Sequence, residues 1–129
     1  MNSPTNPSAP RIGAQIAALI AICGLIAACD VFAAQRPQMT LEIRTLPSDV
    51  VGFDPRAIGA PAATRVAVGF ENVSTLEHNL VFLAPVGSRT KEIVIPGERV
   101  ILEFTTPGAG SYAFVCTIHE EMRGTLSVR

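Results

Sequence analysis

From Met39 onward the chain breaks into short segments that are apolar at alternate positions and separated by Pro, Gly or Asn/Ser. A period of two is the mark of strands that bury one face, and breakers this frequent leave no room for long helices. In Met39 to Thr45, Leu41 and Ile43 point one way and Glu42 and Arg44 the other. Thr64 to Val73 places Val66, Val68 and Phe70 on one face, with Arg65, Ala67, Gly69 and Glu71 opposite. Glu77 to Leu83 reads as a strand on which His78 shares a face with Leu80 and Phe82. Lys91 to Ile95 and Arg99 to Thr106 flank a Pro96–Gly97 turn, the second of them turning Val100, Leu102 and Phe104 inward. After the TPGAG breaker at 106–110, Ser111 to Cys116 carries Tyr112, Phe114 and Cys116 on one face. Arg123 to Arg129 closes the chain as a last strand through Leu126 and Val128. Pro47 to Pro61 reads as irregular, with Phe53 and Ile58 anchoring it to the core. About seven or eight strands at this spacing predict an all-β fold, a Greek-key β-sandwich rather than a parallel sheet.

Residues 1–34 follow a different grammar. Ile12 to Ala28 is apolar apart from Gln15 and follows the lone basic residue Arg11, the order of an export signal. A buried helix is a poor alternative, because the run has no polar face to turn to water. Its end reads in three ways. Ile26-Ala27-Ala28-Cys29 resembles a bacterial lipobox, which would leave Cys29 lipidated, and this reading is favoured. A cut after Val31-Phe32-Ala33 would release a soluble protein. Residues 12–28 also reach the lower limit, about 17 to 25 residues, for a retained membrane anchor. The expected location is the periplasm or the outer face of the cytoplasmic membrane. Gln35 to Gln38 reads as a short linker, and residues 35–129 as one domain.

Cys23 and Cys29 belong to the leader, so Cys116 is the only thiol of the domain and no disulfide framework is available to it. A single thiol in an oxidising compartment is exposed to oxidation unless something engages it, and a metal would. The formal net charge of −1 gives no basic surface for nucleic acid.

Cys116-Thr117-Ile118-His119-Glu120-Glu121-Met122 forms a C-x-x-H-x-x-M pattern between two strands. The chain has 2 histidines, and the other is His78. Singly, a buried Cys, His or Met is more often packing than ligand. Together they supply a thiolate, two imidazoles and a thioether, the donor set of a trigonal copper site with a weak axial Met. Thiolate favours Cu(II), thioether favours Cu(I), and imidazole suits both, so one rigid site can serve both oxidation states.

Residues 60–82 (APAATRVAVGFENVSTLEHNLVF), 95–119 (IPGERVILEFTTPGAGSYAFVCTIH) and 122–128 (MRGTLSV) resemble the cupredoxins of the plastocyanin/azurin group. The short ligand loop is most similar to that of amicyanin. The resemblance, spanning roughly Phe53 to Val128, implies a mononuclear blue-copper one-electron carrier with His78, Cys116 and His119 as equatorial ligands and Met122 as axial ligand. It implies that Asn79 ties the two ligand-bearing segments together, with Thr117 as its partner. It also implies that the second histidine, His119, is the electron exit, rimmed by Ile118, Pro85, Val86 and the Pro107–Gly110 turn. Two departures bear on potential and partner choice. Ile118 stands where amicyanin-like loops often have Pro, and Glu120 and Glu121 replace apolar residues.

The expected partners are a redox protein donor and acceptor, such as a c-type cytochrome or a dehydrogenase, met by a monomer. A copper chaperone or buffer without redox traffic is the alternative, although its usual Met- or His-rich flexible segments are not visible. Catalysis is not expected: further coppers would need further histidines, and a binuclear site would need a second loop cysteine. Zinc suits His/His/Cys, but Met is a poor ligand for it.

Overall fold

The computed structural model describes residues 36–129. The apolar run at 12–28, Cys23, Cys29 and the leader's end lie outside the described residues. Among those described, the backbone forms eight strands: β1 (Met39–Thr45), β2 (Phe53–Asp54), β3 (Ala57–Ala60), β4 (Arg65–Glu71), β5 (Val81–Phe82), β6 (Arg99–Thr105), β7 (Gly110–Val115) and β8 (Arg123–Val128). They make two four-stranded sheets, ordered β2-β1-β4-β6 and β3-β8-β7-β5. This is the all-β sandwich that the alternation predicts.

The inward faces are those of the sequence pattern. Val66, Val68 and Phe70 are fully buried, as are Phe114 and Leu126 from the other sheet. Aromatic rings join the layers: Phe53 meets Phe114 at a centroid distance of 5.2 Å, and Phe82 meets Phe104 at 4.9 Å. Such tilted contacts suit the ring quadrupoles and add to simple burial. Gly124 of β8 lies directly against the Phe114 ring, where any Cβ would collide.

Three segments depart from the sequence pattern. Pro47 to Pro61, expected to be irregular, contains β2 and β3, with Phe53 and Ile58 buried as anchors. Both strands lie at sheet edges, and Pro55 falls between them, where its missing donor breaks no ladder. Lys91 to Ile95 is not a strand but makes a single bridge, Val94 to His78. Side chains share its carbonyls: the Val94 carbonyl, already bonded to the His78 N–H, also accepts from Asn72, and that of Glu92 accepts from Asn79. The strand expected over Glu77 to Leu83 is likewise reduced to β5, with His78 making an isolated bridge to Val94. The Pro96–Gly97 turn is present, with Gly97 at φ 80° and Glu98 N–H donating to the Ile95 carbonyl at 3.1 Å. That positive φ is what glycine allows at the third position of a type II turn.

Candidate metal centre

The alternation of β7 delivers Cys116: Phe114 faces the core, and Cys116, two residues on, faces the same way at 2% exposure. The β7–β8 ladder ends where the Cys116 N–H donates to the Met122 carbonyl at 3.0 Å. Between them, residues 117–121 form a short connection, tightened by the Met122 N–H donating to the His119 carbonyl at 3.0 Å. Glu120 and Glu121 occupy its exposed tip, while Met122 turns back inside at 1% exposure. Three of the sequence-predicted residues thus sit on one hairpin connection.

His78 arrives from the segment between β4 and β5 and is held by paired backbone bonds with Val94, at 3.2 and 2.8 Å. Asn79 fastens this segment to the ligand loop. Its Nδ2 donates to Thr117 Oγ1 and its Oδ1 accepts from Thr117 N–H, both at 2.8 Å. The tie implied by the family resemblance is therefore present.

These elements bring His78, Cys116 and His119 together, with donor atoms within 4.8 Å of one another. Cys116 Sγ lies 3.9 Å from His78 Nδ1 and 3.9 Å from His119 Nδ1. A metal bonded at about 2.3 Å to sulfur and about 2.0 Å to nitrogen, with trigonal angles, separates those donors by about 3.7 Å. The spacing is long for a direct hydrogen bond and right for a shared ion. The donor set fits a soft, borderline metal, and copper with a distant thioether above all. Met122, buried on the same loop, is the candidate for that thioether.

The two imidazoles differ. His78 is fully buried, and His119 is partly exposed. Burial lowers the His78 pKa below the ordinary value, and the neighbouring His119 lowers it further. A neutral imidazole is the form that ligates a metal. Beside the half-open His119, Ile118 leaves an apolar side chain 42% exposed.

One group of residues around the site was not singled out in the sequence. Thr45, Asn72 and Ser74 are buried polar residues behind His78. Thr45 Oγ1 donates to Asn72 Oδ1 at 3.2 Å, the Ser74 N–H donates to both, and Ser74 Oγ lies 3.1 Å from His78 Nε2. A signal for them exists. The inward parity of Leu41 and Ile43 continues to Thr45, and that of Val66, Val68 and Phe70 continues to Asn72 and Ser74. Polar residues on a core-facing parity need internal partners.

A family model described as a cupredoxin-like domain matches residues 15–128. Among solved structures, auracyanin B is similar at 23% identity and a TM-score of 0.66, over 74% of this chain and 91% of its own. Auracyanin A, a "blue" copper protein from the green thermophilic photosynthetic bacterium Chloroflexus aurantiacus, is similar at 21% identity and a TM-score of 0.61, over 70% and 98%. The oxidised form of plastocyanin from Dryopteris crassirhizoma is similar at 25% identity and a TM-score of 0.52, over 68% and 99%. No curated protein matches the chain.

Proposed function

Because this chain belongs to the cupredoxin-like family, we propose that it is a one-electron carrier built around a single copper held by His78, Cys116, His119 and Met122. The observation that carries the reading is the convergence of one thiol and two imidazoles at 3.9 Å sulfur–nitrogen spacing inside the sandwich. Copper, when bound, supplies a Cu(I)/Cu(II) couple. The chain's own part is to keep the donors still. Cys116 and Met122 are bonded across the last rung of the β7–β8 ladder, His78 is locked to Val94, and Asn79 binds the two segments. Donors that cannot move favour neither oxidation state by rearrangement, so electron transfer meets little reorganisation. A copper buffer would need an accessible, pliant site, whereas His78, Cys116 and Met122 are each at most 2% exposed.

His119 is the exit in this proposal, being the open imidazole of the pair, with Ile118, Pro85, Val86 and the Pro107–Gly110 turn as the rim against which a partner desolvates. The partners are a redox protein donor and acceptor, and the carrier works as a monomer. Export through residues 1–34, with Cys29 lipidated, places it in the periplasm or at the outer face of the cytoplasmic membrane. The test is direct. The full chain loaded with Cu(II) is expected to turn blue, bleach with ascorbate and regain its colour on reoxidation, repeatedly and with one copper per chain. A loaded protein that stays colourless, or loses its copper on reduction, contradicts the proposal.

A further inference from the structure

We infer that Ser74 is a positioning residue for the metal: its hydroxyl oxygen receives the outer ring N–H of His78 and so holds the inner nitrogen, Nδ1, toward Cys116. The inference rests on the copper reading above and adds to it a residue outside the ligand set. Ser74 Oγ is 3.1 Å from His78 Nε2, while Nδ1 of the same ring is 3.9 Å from Cys116 Sγ. An imidazole that offers the Nδ1 lone pair to a metal carries its hydrogen on Nε2. The ring is 0% exposed, so no solvent is in contact to accept that hydrogen.

Ser74 is itself held in place. Its N–H donates to Thr45 Oγ1 at 3.0 Å and to Asn72 Oδ1 at 3.1 Å. Its hydroxyl oxygen accepts the Leu76 N–H at 2.9 Å. A serine oxygen has two lone pairs, so one acceptor position remains, and His78 Nε2 faces it. Asn72 Nδ2 closes the cluster by donating to the Leu76 and Val94 carbonyls, each at 2.8 Å. Val94 is the residue whose backbone brackets His78. The ends of β1 and β4 therefore reach the metal through one hydroxyl. An acceptor on the outer N–H raises the basicity of the ligating nitrogen and fixes the ring's orientation. Ser74 should thus favour the cupric state and slow the loss of copper.

The test compares full-chain wild type, Ser74→Ala and Ser74→Thr, each loaded with copper. In Ser74→Ala, Cu(II) affinity is expected to fall about 10- to 100-fold, the reduction potential to shift upward, and the copper hyperfine splitting in paramagnetic resonance to change. Ser74→Thr keeps the hydroxyl and should return all three toward wild type. If Ser74 only packs, Ser74→Ala lowers the unfolding midpoint of the metal-free chain but leaves potential and hyperfine splitting unchanged. That result overturns the inference. Should Ser74→Ala fail to fold, wild type decides alone: the cuprous protein with 15N-labelled histidine should show one imidazole Nε2 proton protected from solvent exchange, and its absence overturns the inference. A wild type that never turns blue instead overturns the copper reading, and this inference with it.

Discussion

Cys116 owes its position to β7 and its chemistry to two imidazoles at 3.9 Å. These ligand candidates were legible in the sequence because their residue types are scarce: the chain has 2 histidines, and one thiol lies beyond the leader. Ser74 was not, since serine is common and its role depends on a 3.1 Å contact that only the fold creates. Asn79 illustrates what one side chain between segments is worth. In Asn79→Ala the Thr117 N–H loses its acceptor and the Glu92 carbonyl a donor, so the metal-free chain should lose about 1–3 kcal/mol in denaturant unfolding. A loss below about 0.5 kcal/mol, the size of an ordinary surface change, would show that the tie is slack. His78 sets a pH dependence. Its pKa is lowered in the fold, chiefly by burial, so below the unfolded value of about 6.5 the unfolded chain takes up a proton that the folded chain resists. The metal-free protein should be free of this penalty above that pH and lose stability by the His78 contribution as pH falls toward the depressed folded value. Unfolding midpoints between pH 8 and pH 5.5 check the sign; a midpoint that rises on acidification contradicts it.

Among the elements, β1, β4, β6, β7 and β8 were readable because alternation is a direct consequence of one buried face. What alternation cannot show is competition for backbone partners. Lys91 to Ile95 has a strand's composition, yet its backbone pairs only at the Val94–His78 bridge, and the Glu92 carbonyl is taken by the Asn79 amide. The two-residue strand β2 and the short β3 are too brief to leave a period, and their place was marked only by Phe53 and Ile58. Sheet order is similarly silent in sequence: β1 runs parallel to β4, and β3 to β8, between residues far apart in the chain. Two glycines test how tightly these elements fit. A Cβ at Gly124 would collide with the Phe114 ring and come within 2.8 Å of the Arg56 carbonyl oxygen. Neither can give way easily, so Gly124→Ala should cost about 1–3 kcal/mol. At Gly69 the atoms nearest the added carbon are the ends of the Glu42 and Arg99 side chains, a surface pair. Exposed pairs contribute about 0–1 kcal/mol, so Gly69→Ala should cost less than about 1 kcal/mol. Equal costs at the two positions would contradict the tight cross-strand fit of Gly124 against Phe114.

For the whole molecule, the proposed carrier role makes the surface around the ligand loop the one a partner would meet. Glu120 and Glu121 are exposed at the loop tip, beside the partly exposed His119. In the proposed carrier their charge would stabilise Cu(II) and attract a basic partner, so Glu120→Gln/Glu121→Gln should raise the reduction potential and flatten the salt dependence of the association rate. If neither moves, the two carboxylates are only a solvated tip. The proposed lipidation at Cys29 belongs to the same scale: Cys29→Ala should abolish lipid labelling in the producing cell, and unchanged labelling would contradict it. The fold and the four ligand candidates could be inferred before any coordinate, because a rare donor set on strand ends allows few arrangements. The polar support behind His78 and the engaged carbonyls needed the three-dimensional structure. X-ray absorption at the copper edge of the loaded full chain tests the coordination itself. One short sulfur and two nitrogens around a single copper, with the sulfur lost in Cys116→Ser, is the expected result. A copper shell of nitrogen and oxygen alone, unchanged by that substitution, would contradict it.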